Sequence, residues 1–326
     1  MKVLLTGASG FVGSHILESL FARQVPTVLL LRNPGSSQFL KQHLRHTEVR
    51  QGSIDEPETL RQALRGVTHV IHCAGCTKAI RSAEFYQTNH VGTRHMVEAI
   101  NSQKPAIERF AHISSLAVCG PATANQPACE NTPTHPVSDY GKSKLAAELE
   151  VRERCQVPFT IIRPPAVYGP RDTGFFSMFA AIKRHLLPRP KRNQAFSLVY
   201  AKDLAEAVVI CLTSLATAGQ TYFVAGPEVV TGRRMAEEIA RQMGVWTIPL
   251  PMPAILLWTI CLAAQSVSQL TRRASLLNLQ KYAELRAPGW VCSPAKLQAE
   301  TGLACATTLK QGIGSTLEWY QREHWL

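Results

Sequence analysis

Tyr140 and Lys144 stand four residues apart in a segment with the amphipathic pattern of a helix. Residues at this spacing lie on one face of a helix. An ammonium beside a phenol favours the phenolate, so we expect Lys144 to lower the pKa of Tyr140 towards the working pH. Ser115 follows a strand-like run, and we expect its hydroxyl to hold a substrate oxygen near Tyr140. The three side chains predict proton transfer at a hydroxyl or carbonyl group.

A glycine-rich turn near the N-terminus predicts a phosphate site. The strand-like run 2–6 leads directly into Gly-x-x-Gly-x-x-Gly, and a helical pattern begins near Val12. Glycines let the backbone turn tightly and approach a pyrophosphate, while the amides and dipole of the helix favour the anion. The residues expected at this dinucleotide site are Gly7, Ser9, Gly10, Phe11, Val12 and Gly13.

The end of the second strand-like run bears on the choice of dinucleotide. Arg32 stands there, where an NAD-binding chain typically carries Asp or Glu for the ribose 2′-hydroxyl. A guanidinium suits a 2′-phosphate, and Ser36 and Ser37 are candidate further donors. The sequence favours NADP(H) and leaves NAD open. The alternative is that Arg32 is a surface residue that closes the strand.

The elements that must position these residues alternate between strand and helix, which predicts right-handed crossovers and an α/β fold of the Rossmann type. We expect a doubly wound parallel sheet in residues 1–165, rejoined by about 196–226. A smaller, mostly helical substrate lobe comprises residues 166–195 and 227–326. The expected strands are 2–6, 27–31, 48–52, 69–74, 110–114 and 159–163, with 197–200 and 221–225 returning to the sheet. The later helices are expected at 203–212, 232–243, 251–270, 294–301 and 309–323.

In order and spacing, these motifs and several others resemble the extended short-chain dehydrogenase/reductases, also called the NAD-dependent epimerase/dehydratase family, over nearly the whole chain. The further motifs are His72-Cys73-Ala74-Gly75, residues 88–93, Ser114-Ser115, residues 163–170 and residues 199–205. The resemblance implies that Tyr140 is the general acid/base, that Lys144 binds the nicotinamide ribose and that Ser115 contacts the substrate oxygen.

The same resemblance places other residues around the cofactor. Asn89 stands where the family has a residue near the cofactor, and Ala74 lines it. The backbone from Pro164 to Val167 is expected to meet the carboxamide. This chain departs from its relatives at Cys119, where tyrosine is common, and at Ser53, where many have aspartate near the adenine.

Two positions favour one branch of the family. Sugar-nucleotide members usually have Asn at the position of Ala166 and a phosphate-binding Arg at that of Phe196. Apolar side chains here resemble the branch of hydroxysteroid dehydrogenases and dihydroflavonol reductases, although Arg171 or Arg192 is a candidate replacement. The segment 254–264 is apolar all round. It is interpreted as a buried helix, with a wall for a lipidic substrate or a membrane-surface helix as alternatives.

We therefore expect an NADP(H)-preferring oxidoreductase that interconverts a secondary alcohol and a ketone on an apolar small molecule. The alternatives are a sugar-nucleotide epimerase or dehydratase with tightly bound NAD(P), and a non-catalytic dinucleotide sensor. Residues 92–100 and 140–155 resemble helices that relatives pair into a four-helix interface, which predicts a homodimer. Alternatively, the apolar stripes of both helices face the sheet.

Composition bounds the class of protein. The 326 residues include 35 Lys and Arg against 23 Asp and Glu, a formal charge of +12. Nine cysteines at irregular spacing predict free thiols in a reducing compartment. The N-terminal apolar run meets the glycine turn too early for a signal peptide, and no run approaches the roughly 20 apolar residues that span a bilayer. We expect a soluble, cytoplasmic protein.

The basic residues are mostly dispersed, and no known nucleic-acid motif accompanies them. We interpret the one dense run, at 183–192, as a solvated loop near an anionic ligand and expect no nucleic-acid partner. Eleven histidines show no ligand spacing. Cys73 and Cys76 lack a partner pair, so we interpret them as packing residues and expect no metal.

Overall fold

The structure, a computed structural model, describes residues 1–36, 38–190, 194–275 and 277–326. Ser37, Lys191 and Arg192 therefore lie outside the described residues. The strands are β1 (Val3–Thr6), β2 (Thr27–Leu31), β3 (Glu48–Gln51), β4 (His69–His72), β5 (Arg109–Ile113), β6 (Phe159–Arg163), β7 (Ala166–Tyr168), β8 (Leu186–Pro190), β9 (Ala195–Tyr200), β10 (Gln220–Phe223), β11 (Val229–Thr231), β12 (Ile248–Met252) and β13 (Gly289–Trp290).

Helices cover the sheet and build the C-terminal part of the chain. They are α1 (Phe11–Ala22), α2 (Pro57–Ala63), α3 (Ser82–Phe85), α4 (Gly92–Ser102), α5 (Asp139–Arg154), α6 (Thr173–Lys183), α7 (Ala201–Thr213), α8 (Gly232–Met243), α9 (Ala254–Thr271), α10 (Leu279–Arg286), α11 (Ala295–Thr301) and α12 (Leu309–Arg322). A π-helical segment, Tyr86–Val91, joins α3 to α4.

The main sheet has seven parallel strands in the order β10-β6-β5-β4-β1-β2-β3. Along β1, Val3 and Leu5 pack in the core on the side of α1 and α7, whereas Leu4 packs in the core on the side of α2 and α4. Because both faces are covered, the strand is apolar throughout. The predicted Rossmann-type fold is confirmed, and its strand order reverses beside β1, where ligands bind in such sheets.

One of the two strands predicted to return to the sheet does so. β10 pairs with β6, but β9 joins a second, four-stranded sheet with β7, β11 and β13. The expectation that residues 197–200 rejoin the main sheet is therefore wrong. Their side chains from Ser197 to Tyr200 are buried as they would be in either sheet, so the apolar pattern did not distinguish the two.

The C-terminal lobe also differs from expectation at its helices. α6 and α10 were not predicted, although Asp172 caps α6 by accepting hydrogen bonds from the amides of Gly174 and Phe175. The predicted helix at 251–270 begins later, because residues 248–252 form β12, which pairs with β8.

α9 packs against α10, but only 11% of its residues are buried inside the protein. The interpretation of this segment as a buried helix is therefore wrong. With 18 residues and a mean hydropathy of 1.4, it is long and apolar enough to cross a bilayer by length and composition alone. We expected no apolar run long enough to span a bilayer, and α9 contradicts that expectation. The sequence did not show it because threonine, serine and glutamine interrupt the apolar run of the helix.

The apolar stripes of α4 and α5 face the interior of the chain. Met96, Val97 and Ile100 of α4, and Val151 of α5, are buried in one core cluster against the sheet. These stripes therefore do not require a second subunit. The homodimer stays a prediction.

Candidate active site

The turn after β1 has the shape of an anion cradle. Gly7 has φ +74°, and a Cβ there would lie 2.6 Å from the amide nitrogen of Ala74. A Cβ on Gly13 would lie 2.1 Å from the carbonyl oxygen of Gly7. Only glycine fits either position. Among the described residues, no side chain caps the N-terminus of α1, which starts after Gly10, and its first turn carries no acidic residue. These amides and the exposed Ser9 therefore suit a phosphate.

The loop after β4 forms the next part of the site. The side chain of Asn89 holds it in place: its Oδ1 accepts from the Cys76 amide at 2.7 Å, and its Nδ2 donates to the Cys76 carbonyl at 3.0 Å and to Ser143 Oγ at 2.9 Å. Asn89 is 1% exposed. It therefore positions the loop that contains Ala74 and ties it to α5.

Tyr140 lies in the first turn of α5, directly beside Ser115. Ser138 caps the helix by accepting from the Gly141 amide at 3.2 Å. A Cβ on Gly141 would lie 2.6 Å from the carbonyl oxygen of Ala117, so this glycine lets α5 approach the turn that follows β5. The approach places Tyr140 close enough to Ser115 for that side chain to lower the pKa of the phenol. A shared substrate oxygen stays a prediction.

Lys144 lies one turn further along α5. Its ammonium donates to the carbonyl oxygen of Ile113 at 2.5 Å, and the residue is 4% exposed. Burial lowers the pKa of Lys144 to about 8. The predicted face of α5 therefore exists, with both side chains directed to the carboxyl end of β5.

The expectation that the pKa of Tyr140 is lowered is wrong for the protein by itself. Burial raises the pKa of Tyr140 to about 12, although the hydrogen bond with Ser115 lowers it and Glu284 adds to the rise. Desolvation disfavours the charged phenolate. The side chain is therefore a phenol that can donate its proton.

A buried ion pair that we did not predict fixes α5 to the sheet. The guanidinium of Arg163, at the end of β6, donates to both carboxylate oxygens of Glu148 at 2.8 and 2.6 Å. Ser114 Oγ donates to the same carboxylate at 2.5 Å. Glu148 is 1% and Arg163 2% exposed. This network joins β5 and β6 to α5, the helix that contains Tyr140 and Lys144.

Arg32 follows the carboxyl end of β2 and is exposed. Within the described residues, its side chain makes no ion pair. It therefore remains accessible at the position expected for a 2′-phosphate contact. Of the two candidate serines, the side chain of Ser36 and all of Ser37 lie outside what the structure describes.

The segment after β6 borders the site on its other side. The carbonyl of Pro164 accepts from the Leu116 amide at 2.9 Å, which ties it to the turn after Ser115. Val167 is half-buried in β7, and Ala166 before it is exposed. Phe196 on β9 packs at the edge of the core of the lobe.

Arg171 does not supply the missing phosphate contact. Its guanidinium binds the carboxylate of Glu18, donates to Ser14 Oγ at 3.1 Å and lies over the ring of Phe39. Although burial opposes it, hydrogen bonds from His15 and Arg171 lower the pKa of Glu18 to about 2. Arg171 is therefore engaged with α1. The other candidate, Arg192, lies outside the described residues.

Cys73 and Cys76, like the other seven cysteines, are free thiols. Burial raises the pKa of Cys73 to about 12, so its thiol is inert at neutral pH. In the part of the chain that the structure describes, no group of three or more His, Cys, Asp or Glu is arranged to hold a metal ion.

Comparison with known proteins places this geometry in a family. The model of the NAD dependent epimerase/dehydratase family matches residues 3–225, which contain the glycine turn, Ser115, Tyr140 and Lys144. The chain belongs to this family. It is 30% identical to the ceramide reductase of Caulobacter vibrioides, over 99% of this chain and 96% of the relative.

Other relatives have a different named activity. This chain is 27% identical to the UDP-glucose 4-epimerase of Vibrio cholerae, over 77% of this chain and 79% of that protein. The fold matches that of the Thermus thermophilus UDP-glucose 4-epimerase in complex with NAD, with a TM-score of 0.77, 23% identity and coverage of 98% and 99%.

The chain is a nicotinamide-dinucleotide-dependent enzyme of the kind that acts on a CH–OH carbon. The cradle at Gly7 and Gly13 fits a dinucleotide phosphate, because both positions exclude a side chain and the helix N-terminus behind them is uncapped. The residues that would hold the dinucleotide are those of the glycine turn, the loop at Ala74, and Lys144. Reduction or oxidation of a carbinol carbon and reversible epimerisation both suit this constellation.

Proposed function

We propose that this protein is an NADP(H)-preferring oxidoreductase that interconverts a ketone and a secondary alcohol on an apolar, lipid-like molecule. The observation that carries the proposal is that the exposed Ala166 and the half-buried Phe196 are apolar at positions where the family resemblance implies polar groups for a diphosphate. Arg171, the one described candidate for a replacement, is occupied by Glu18. A diphosphate that lost such a charge-assisted contact would bind about 1.5–3 kcal/mol less tightly.

One curated relative supports the same substrate class. The ceramide reductase, whose name specifies a lipid, is 30% identical over almost the full length of both chains, against 27% for the UDP-glucose 4-epimerase. An apolar pocket gains about 25 cal/mol per Å² of ligand surface buried, which is enough to bind a lipidic ketone without charge.

In the direction of reduction, the substrate carbonyl oxygen lies between Ser115 and Tyr140. Ser115 donates a hydrogen bond to it, and Tyr140 gives up its phenolic proton as the oxygen becomes a hydroxyl. The nearby Lys144 ammonium favours the phenolate that remains. When bound, the dinucleotide supplies the hydride to the carbonyl carbon. Oxidation of the alcohol uses the same groups in reverse.

The preference for NADP(H) rests on Arg32. Its guanidinium is exposed beside the glycine turn and is not neutralised by a carboxylate among the described residues. A free guanidinium there attracts a 2′-phosphate and offers nothing specific to a 2′-hydroxyl.

We also propose a cytoplasmic homodimer. Nine unpaired thiols, including the exposed Cys129, favour a reducing compartment. Leu149 on α5 is 44% exposed and Val137 before that helix 43%, which leaves apolar surface for a partner helix. Light scattering at micromolar concentration should report the mass of a dimer, and a monomer would reject it.

The substrate class is tested by thermal shift in protein saturated with NADPH. Steroid-like, aryl and long-chain ketones should raise the melting temperature and drive NADPH oxidation, whereas uridine and thymidine diphosphates should do neither. The Tyr140→Phe variant should keep the shift and lose the oxidation. Strong stabilisation by a nucleoside diphosphate would overturn the proposal in favour of an epimerase or dehydratase. Dinucleotide binding without turnover of any ketone, alcohol or sugar nucleotide would indicate a sensor.

A further inference from the structure

α9 exposes an apolar face that the rest of the chain does not cover. Its inward side, at Leu257, Cys261 and Ser268, has the helical period, and Cys261 is fully buried. The outward side carries large apolar side chains. The exposed fractions are 67% for Ile255, 38% for Trp258, 37% for Leu262, 57% for Val267 and 86% for Leu270.

The apolar surface continues into the strand pair that precedes α9. β12 runs directly into the helix through Pro253 and pairs with β8. Trp246, Ile248 and Leu250 before and within β12 are 66%, 54% and 42% exposed, and Leu186 of β8 is 41% exposed. These nine side chains are half of the 18 large exposed apolar side chains of the described residues, and we call the surface that they form the α9 surface. Contiguous apolar patches on soluble monomers are usually small, so this one marks an interaction site.

The segments that form the α9 surface carry charges of one sign. No Asp or Glu occurs between Asp172 and Asp203 or between Glu238 and Glu284, which are the segments that form it. Arg272 and Arg273 follow α9, Lys183 and Arg184 precede β8, and all four are exposed. None of the four makes an ion pair within the described residues. The surface is therefore complementary to an anionic partner and repels a second copy of itself.

The α9 surface is joined to the catalytic helix. Leu279, the first residue of α10, donates its amide to Gln265 of α9 at 3.1 Å. Gln280 then accepts from the Asp139 amide at 2.9 Å and donates to the Asp139 carboxylate at 2.7 Å. Asp139 immediately precedes Tyr140. α9 is therefore linked through α10 to the residue that precedes Tyr140.

These contacts exclude an orientation in which α9 crosses a membrane. A helix of 18 residues is about 27 Å long, so a spanning α9 would place β12 and α10 on opposite sides of a bilayer. Yet β12 pairs with β8 and α10 binds the catalytic helix, within one folded body. Lying in the interface is the arrangement that keeps both sets of contacts.

We propose that the α9 surface docks the enzyme on an anionic lipid bilayer, with α9 parallel to the membrane plane, its outward side chains among the acyl chains and its flanking cations at the headgroups. Exposed Trp on an apolar face beside Arg and Lys is the composition that binds such interfaces. The inference goes beyond the proposed function, because docking concerns where the enzyme works and does not depend on which ketone it reduces.

Vesicle flotation tests the docking without any turnover. The purified full-length protein should float with vesicles of phosphatidylglycerol and phosphatidylcholine in equal amounts, should bind pure phosphatidylcholine vesicles much more weakly, and should lose binding at high salt. The fluorescence of Trp246 and Trp258 should shift to shorter wavelength on binding. Failure to float with anionic vesicles, or equal binding to both kinds of vesicle, would overturn the proposal.

Matched variants locate the contact. Leu270→Ser should weaken anionic vesicle binding about tenfold. Leu215→Ser, at a leucine that is 88% exposed in the segment between α7 and the amino end of β10, should not change it. Arg272→Glu with Arg273→Glu should weaken binding at least about tenfold. Arg65→Glu with Lys104→Glu, at exposed positions after α2 and α4, makes the same change in net charge as a control.

Two results would contradict this assignment. Equal losses from the α9 variants and their controls would mean that lipid binding is non-specific. A wild-type oligomer that Leu270→Ser converts to a smaller species, without any flotation, would mean that a second copy covers the surface. Activity on a soluble ketone is measured separately, so its absence leaves the flotation result to decide docking alone.

Discussion

The two sides of Tyr140 are built in different ways. On the side of α5, β5 and β6, the buried pair of Glu148 and Arg163 and the contact from Lys144 to Ile113 satisfy polar groups inside the protein. On the side of α9 and α10, large apolar side chains face outward, and the link to α5 is the pair of hydrogen bonds between Gln280 and Asp139. The first side holds the Tyr140 side chain in position, and the second presents apolar side chains to the surroundings of the protein. Substitutions on the first side should therefore lower the enzymatic activity or the free energy of unfolding. Substitutions on the second side should weaken binding to lipid vesicles.

The largest effect is expected where the reacting proton is held. Tyr140→Phe removes the hydroxyl and keeps the ring, so turnover should fall about 10²–10⁴-fold. NADPH affinity, measured by fluorescence titration, should be unchanged. Tyr86→Phe, on the neighbouring π-helical segment, is the control and should retain activity. A Tyr140→Phe enzyme with nearly normal turnover would show that another group supplies the proton.

The next effect is on stability. Glu148→Gln leaves the guanidinium of Arg163 buried without its charge partner, which should lower the free energy of unfolding by about 3–5 kcal/mol in urea denaturation. Glu237→Gln breaks an exposed pair with Arg233 and should cost about 1 kcal/mol or less. Equal decreases in the free energy of unfolding of the two variants would show that the buried ion pair matters no more to stability than the exposed one.

A smaller effect is expected at the cofactor. The proposed contact of Arg32 with a 2′-phosphate is charge-assisted and worth about 1.5–3 kcal/mol. Arg32→Asp should therefore weaken NADPH binding about 10- to 100-fold, while NADH binding improves relative to it. Arg32→Lys keeps the charge and should retain much of the preference. If wild-type protein binds NADPH and NADH equally, Arg32 has no role in cofactor choice.

The smallest effect is expected on the exposed side. Leu270→Ser, at a side chain that is 86% exposed, should change the free energy of unfolding by no more than about 0.5 kcal/mol in buffer without lipid. The same variant tests vesicle binding, so it separates the two properties. A large loss of stability would show that α9 packs against the body of the protein more closely than its exposure indicates.

Features that depend on neighbours in the sequence were predictable. The cradle needs glycine at Gly7 and Gly13 because of a local turn, and the structure leaves no room for a side chain at either. The spacing of Tyr140 and Lys144 likewise fixes their common face. Inner strands such as β1 and β2 were recognised because they are covered on both sides and mostly apolar. The edge strand β3 is polar and at most half-buried.

Features that depend on distant contacts were not predictable. Glu148 and Arg163 are charged residues in segments that otherwise suit a core, and nothing local shows that they meet. The pKa of Tyr140 rises because of burial, which a spacing of four residues does not reveal. Hydropathy showed that residues 254–264 are apolar but not whether the protein covers them, since exposure is decided by the packing of the whole lobe.

The order of strands in the main sheet has a consequence for biosynthesis. Six of its seven strands, from β1 to β6, lie within residues 3–163, and only β10 comes from later in the chain. A ribosome therefore releases nearly the whole sheet before it has made α9. N-terminal segments that fold as they emerge would give the apolar helix a folded body to join, which shortens the time during which a nascent chain exposes both together.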